Sequence, residues 1–295
     1  MREAIELFLQ TLAEEKGYAS NTIVAYRNDL DQFRGFEIEN HERSEWDQVN
    51  KEDLVSYVSW LREEREYAAA TVARKVAAVK SFFHHLKNHD DIPTDPTEKL
   101  HSPRVRKYTP VSLSEAEVRK LLQAPLRGNG ARSQRDAALL ELLYATGMRV
   151  SEIVSLDVSQ VDLERRSVSC PGKNRHRARV LPFYRRAGEA LRAYLAEGRP
   201  QLLRSQGESA LFLNHRGQRL TRQGLWLIIK RYVKQTGIEI SVTPHTLRHS
   251  FARHMLNGGA DVHEVQGLLG HANVSTTQVY TEVREAYDEA HPRAN

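Results

Sequence analysis

Cysteine is nearly absent from these 295 residues: Cys170 stands alone, so no internal disulfide can brace the fold. No stretch resembles a secretory leader, and none is apolar over the roughly twenty residues needed to cross a bilayer. A reducing cytoplasm is the compartment these absences predict, with no membrane partner. Internal repeats and low-complexity tracts are missing too. What the chain does have is 40% apolar residues, sufficient for ordinary globular cores. Its length exceeds the usual size of one compact core, so two domains joined by a linker are expected.

The formal charge of +5 is unevenly spread. Residues 1–67 hold 8 Lys and Arg against 16 Asp and Glu, a net of −8. Residues 68–107 hold 8 against 4, and residues 108–295 hold 27 against 18, so the basic character starts near residue 68 and continues to the end. A polyanion such as nucleic acid fits that pattern, because neutralising phosphates releases counterions. Charge alone fits a solvated basic surface equally well.

The first hundred residues read as helices. Ile5, Phe8, Leu9 and Leu12 recur at helical spacing, as do Ile23, Tyr26, Leu30 and Phe33. A third helix is expected over about 51–65. A fourth runs from Ala68 to Leu86 with Val72, Val76, Val79, Phe82, Phe83 and Leu86 as its buried stripe and Arg74, Lys75 and Lys80 as its basic decoration. From His89 to Pro110 the pattern stops. Pro93, Pro96, Pro103 and Pro110, with Arg104, Arg106 and Lys107, predict an extended basic connection, giving a helical domain over 1–90, a linker over 91–110 and a second domain over 111–295.

Ser114 with Glu117 forms a capping box that opens the second domain, and a helix from about Asp136 to Thr146 ends at Gly147. Val161 to Pro182 alternates apolar and polar residues around a Pro-Gly turn, which predicts a β-hairpin with Lys173 at its tip. Further helices are expected at about 185–197, 221–236, 244–257, 261–269 and 275–280.

Thr243 suits an N-cap and Pro244 the first helical position, so His245 and Arg248, three apart, share one helical face. Leu268-Leu269-Gly270-His271 ends the next helix and puts His271 on a turn, with Tyr280 further on; Arg149 starts a helix and Glu152 follows one turn later. Such residue types suit phosphoryl transfer from a phosphodiester, whose transition state concentrates negative charge on the non-bridging oxygens. Two arginines can grip those oxygens with forked donors, a tyrosine can attack phosphorus, a histidine can take its proton, and a lysine can protonate the departing sugar oxygen. Singly, each residue has a commoner use: a tyrosine packs, and an arginine beside a glutamate makes a surface ion pair. His249, His254 and Cys170 are expected to be structural.

Taken together, Ala-Thr-Gly-Met-Arg149-Val-Ser-Glu, His245-Thr-Leu-Arg248-His, Leu-Leu-Gly-His271 and Ser-Thr-Thr-Gln-Val-Tyr280-Thr resemble the signature of the tyrosine recombinase or integrase family, Xer subfamily. His-Pro-Arg-Ala at the end and Leu-Leu-Gln-Ala-Pro-Leu at 121–126 look more like the XerD branch than the XerC branch. The resemblance implies a mainly α fold: a four-helix, SAM-like core-binding domain that clamps DNA, then an α+β catalytic domain with a small antiparallel sheet. It implies that Arg149, Arg248 and His271 hold the phosphate, that Tyr280 is the nucleophile with His245 as proton partner, that Lys173 is the general acid, and that Glu152 steadies Arg149. DNA contacts are expected from Arg74, Lys75, Lys80, Arg104, Arg106, Lys107, Arg175 and Arg177. No metal or other cofactor is expected. The implied assembly is a tetramer on two DNA sites, with itself or with a XerC-like recombinase, for chromosome dimer resolution at a dif-like terminus site under a cell-division DNA translocase.

Two departures mark this chain. Family members usually carry Gly-Lys-Gly-Asn-Lys-x-Arg in the hairpin, whereas Gly172-Lys173-Asn174-Arg175-His176-Arg177-Ala178-Arg179 lacks the second glycine and is one residue longer before Val180. Lys173 stays the expected acid because arginine gives up its proton too reluctantly. Glu282 stands where a histidine is common. Beyond it Val283, Ala286, Tyr287 and Ala290 form an apolar stripe, so a helix over about 282–291 is expected either to exchange into a neighbouring protomer, as the resemblance implies, or to fold back on its own domain. The competing readings are a type IB topoisomerase-like strand transferase, a non-catalytic DNA-binding regulator, and a metallohydrolase using His245 and His249. For the last, Thr246 stands where the motif needs glutamate.

Overall fold

In a computed structural model, residues 1–101, 111–171 and 178–270 are described. The chain divides into two units, Met1–Tyr108 and Thr109–Asn295.

The first unit is built on α1 (Arg2–Glu14), α2 (Ser20–His41), α3 (Lys51–Glu63) and α4 (Ala69–Asn88). All six apolar residues of the α4 stripe are at most 1% exposed. Burying each is worth about 1.5–3 kcal/mol, which is why the 3.6-residue period locates this helix. Around them Phe33, Tyr57, Phe82, Phe83 and Trp46 pack edge-to-face or stacked, and the Trp46 indole donates to the Met1 carbonyl at 2.9 Å. Residues 91–101 are turns rather than an extended connection: Ile92 and Leu100 are buried in this core, and Lys80 Nζ donates to the Leu100 carbonyl at 2.9 Å. Two apolar anchors without a period are too sparse a signal to read from sequence. The basic residues Arg104, Arg106 and Lys107 lie outside the described residues.

The second unit comprises α5 (Glu115–Gln123), α6 (Ala131–Thr146), α7 (Val150–Ser155), strands β1 (Val161–Asp162), β2 (Ser167–Cys170) and β3 (Arg179–Pro182), then α8 (Arg185–Ala193), α9 (Arg199–Leu202), α10 (Arg222–Thr236), α11 (Pro244–Asn257) and α12 (Val262–Leu269). The Ser114–Glu117 capping box is formed. The strands make an antiparallel sheet in the order β1-β2-β3, with Val168 opposite Leu181 and Cys170 opposite Arg179. Val168, Cys170 and Leu181 are buried on one face, so the expected hairpin is the β2–β3 part of a three-stranded meander. α8 passes through a π turn at Tyr194–Gly198 into α9, extending the helical run past the expected end.

Gly147 closes α6 in the left-handed region at φ 57°, and a Cβ there would lie 2.4 Å from Phe251 Cδ1 and 2.9 Å from Leu269 Cδ2. Both side chains are buried. Gly147→Ala therefore adds strain of about 1–2 kcal/mol to a collision with no room to relax. A clear drop in the urea midpoint of unfolding is expected; a wild-type midpoint would contradict the close packing.

Candidate active site

α6, α7, α11 and α12 converge where two arginines stitch two turns together. Arg149 is the residue before α7, and its backbone N–H donates to Glu152 Oε2 at 2.8 Å while Nη1 reaches Oε1 at 3.1 Å. Its other nitrogen, Nη2, donates to the Gly270 carbonyl at 2.7 Å. Arg248 projects from α11, 6% exposed, and donates to the carbonyls of Gly147 at 2.5 Å and Leu269 at 2.7 Å. Each arginine thus bridges the α6–α7 turn or its neighbour to the C-cap of α12. Gly270, left-handed at φ 63°, forms that cap, and His271 is the next residue in the chain.

Thr243 caps α11 as expected, accepting from Thr246 N at 3.2 Å, with Pro244 in the first turn. His245 is exposed one turn before the buried Arg248. His249 is half-buried, and burial, followed by the charges of His245 and Arg248, pushes its pKa below the usual histidine value. His254 has Nδ1 2.7 Å from the Tyr144 hydroxyl, tying α11 to α6; burial lowers the histidine and raises the Tyr144 hydroxyl to about 12.

Glu152 serves two cations. Besides Arg149 it accepts a parallel pair of hydrogen bonds from Arg179, Nη1 to Oε1 at 3.1 Å and Nη2 to Oε2 at 2.9 Å. Burial pushes its carboxyl up, but the Arg179 hydrogen bonds, the Arg149 backbone N–H and both guanidinium charges outweigh that, holding it below the ordinary carboxylate value. It is ionised and fixed. Sequence reasoning gave Arg179 no role. The available signal was its place two residues before the buried Leu181, which puts a cation on the inward face of β3.

Lys173, Arg175, Arg177, His271 and Tyr280, with the expected helices at 275–280 and 282–291, lie outside the described residues. In the first unit, Lys75 does not present itself to a ligand: it is 7% exposed, its ammonium 2.9 Å from Asp29 and over the Tyr67 ring. Arg74 pairs with the same Asp29 but remains half-exposed. Among the described residues, the one histidine–carboxylate group close enough to hold a metal ion is Glu37, His41 and Asp53, which does not include His245 or His249. Arg43 already supplies a cation there, at 3.0 and 3.3 Å from the two Asp53 oxygens. No helix among the described residues is long and apolar enough to cross a membrane.

Residues 111–286 match the phage integrase family, and residues 5–90 match its N-terminal SAM-like domain. Tyrosine recombinase XerC of Herpetosiphon aurantiacus is 50% identical over 297 residues, covering 99% of this chain and 96% of the relative. Tyrosine recombinase XerD of Halalkalibacterium halodurans is 41% identical over 295 residues, covering 98% of each. A crystal structure of the XerH site-specific recombinase bound to a palindromic difH substrate, a post-cleavage complex, superposes with TM-score 0.72 at 20% identity, covering 97% of this chain and 94% of that one. The chain belongs to the phage integrase family, and within it to the tyrosine recombinases of the Xer type. It is a site-specific recombinase, an enzyme that transfers DNA strands. The higher identity is to the relative named XerC, so the features that suggested the XerD branch do not decide between the two.

Proposed function

We propose that Arg149 and Arg248 bind the scissile phosphate of a DNA strand, with His271 adding a third donor, while the Tyr280 oxygen attacks phosphorus. A new P–O bond to Tyr280 forms as the bond to the 5′ sugar oxygen breaks; His245 takes the phenolic proton and Lys173 gives one to the departing oxygen. The result is a 3′-phosphotyrosyl link and a free 5′-hydroxyl. One phosphoester replaces another, so the same chemistry run backwards reseals the strand without ATP or a metal.

The observation that carries this reading is that both guanidiniums are fixed by the same two chain segments, 147–152 and 269–270, immediately before His271. Permanently charged donors held by carbonyls and one carboxylate need no rearrangement as negative charge develops. The substrate in this proposal is double-stranded DNA, with cleavage at a dif-like site for chromosome dimer resolution in the cytoplasm. Four protomers act on two duplexes, this chain alone or with a XerC-like partner, answering to a cell-division translocase. The helical unit over 1–90 clamps the DNA with Arg74 and Lys80, while Arg104, Arg106 and Lys107 of the linker and Arg175 and Arg177 of the second domain reach further backbone phosphates.

Incubating the purified full chain with candidate palindromic sites nicked near the cleavage position, in EDTA, tests this directly. A protein–DNA adduct on a denaturing gel, mapped by peptide mass to Tyr280, is the expected result. An adduct elsewhere, or none without added metal, would overturn it.

A further inference from the structure

The proposed phosphate-binding role of Arg149 leaves an electrostatic problem, because its nearest carboxylate, Glu152, could neutralise it. Glu152 is 13% exposed in its side chain and ionised, an effective counter-charge in a partly dehydrated site. Arg179 changes that balance. Its side chain is 11% exposed, and its guanidinium faces both Glu152 oxygens in the bidentate geometry, whereas Arg149 offers one side-chain nitrogen to one of them. Two guanidiniums share one carboxylate, leaving a net positive charge.

Arg179 also has a third use. Its Nε donates to the Leu268 carbonyl at 2.9 Å, and its guanidinium packs so closely on Gly270 that a Cβ there would meet Nη1 at 3.0 Å and Cζ at 3.1 Å. The Gly270 carbonyl is the one that accepts from Arg149 Nη2. One planar side chain on β3 therefore fixes the carboxylate on α7 and the C-cap of α12, the two partners that orient the Arg149 side chain. A lysine could keep the charge but could not span three acceptors in one plane.

We propose that Arg179 is a positioning residue for strand cleavage: it holds Glu152 and the Leu268–Gly270 cap so that Arg149 is both aimed at the phosphate and left with its charge uncompensated. The proposal rests on the assignment of Arg149 to the scissile phosphate.

Single-turnover cleavage by Arg179→Lys, Arg179→Gln, Glu152→Gln and the Arg179→Lys/Glu152→Gln double variant tests it, alongside DNA affinity and thermal unfolding. Arg179→Lys should bind its site within about threefold of wild type and cleave roughly ten- to a hundredfold more slowly, the scale for a catalytic group misplaced by about 1 Å. The double variant should be no slower than the slower single variant, because both changes act through one contact. A 5′-bridging phosphorothiolate, whose sulfur leaves without a proton, should not restore the rate, since the leaving group is not at fault. Should Arg179→Gln fail to fold, Arg179→Lys, which keeps the buried charge, carries the test. Near wild-type cleavage, additive losses, or rescue by the phosphorothiolate would each overturn the positioning role through Glu152. Failure of wild type itself to form an adduct would instead remove the reading on which it rests.

Discussion

Replacing Arg248 by alanine is expected to slow strand cleavage by at least about a hundredfold, the scale for losing one preorganised donor to a developing oxyanion, and Arg149→Ala by a similar factor. The two variants should differ in what else they lose. Arg248 is 6% exposed and satisfies the carbonyls of Gly147 and Leu269, so its removal leaves two buried acceptors unpaired at about 1–3 kcal/mol each. Arg149 is 25% exposed in its side chain, and water can replace its hydrogen bond to Gly270. Arg248→Ala should therefore lower the midpoint of thermal unfolding clearly and Arg149→Ala only slightly, while both bind DNA far better than they cut it. Single-turnover rates measured well below the lower midpoint separate the effects. A variant that cleaves at nearly the wild-type rate would assign its arginine to structure alone.

How much of this was legible beforehand follows from which signals are local. The caps at Ser114 and Thr243, the glycine stop at Gly147 and the α4 stripe depend on residues a few positions apart, and the structure forms all of them. Arg149, His245 and Arg248 could be singled out because their residue types suit one reaction and their order matches one family. α6 begins at Ala131, five residues before the Asp136 start that the apolar pattern predicts. Its first turns are polar in sequence because Arg135 and Asp136 are buried against each other, with Arg231 and Tyr232 of α10 completing the network. No periodicity foretells a buried ion pair whose partners lie about a hundred positions away. Lys75 departs from expectation for the same reason, because its basic character predicts solvent while Asp29, far off in sequence, draws it inward. Arg179 is not legible in the sequence, since its importance lies in a carboxylate and a carbonyl brought to it by folding.

Stability of the helical unit is expected to fall as pH rises from about 4.5 to about 8, and Glu37 is the reason. Glu37 lies on α2, fully buried, and neither carboxyl oxygen has a hydrogen-bond partner among the described residues. His41, one turn later, has an unpartnered buried Nε2, and its Nδ1 is 3.5 Å from Asp53. Burial, followed by the charge of Asp53, pushes Glu37 up from 4.5 to about 8, against the opposing charge of Arg43, which is engaged with Asp53 instead. Below pH 4.5 the folded and unfolded chains both carry the proton, so stability is at its full value. Between 4.5 and 8 the unfolded chain releases it while the folded one keeps it, and stability drops by up to about 1.4 kcal/mol per pH unit. Glu37→Gln keeps the shape of the neutral acid and, like it, offers both a donor and an acceptor, but cannot ionise in either state. Across this range, thermal or urea unfolding of the full chain, followed by hydrogen exchange at α2 and α3, should show a steep pH slope in wild type and a flatter one in the variant. The variant should be the more stable of the two at pH 8 and close to wild type at pH 4.5. Parallel slopes would mean that Glu37 ionises in the folded domain as readily as in water, with a cation or a solvent path supplying what Arg43 gives to Asp53.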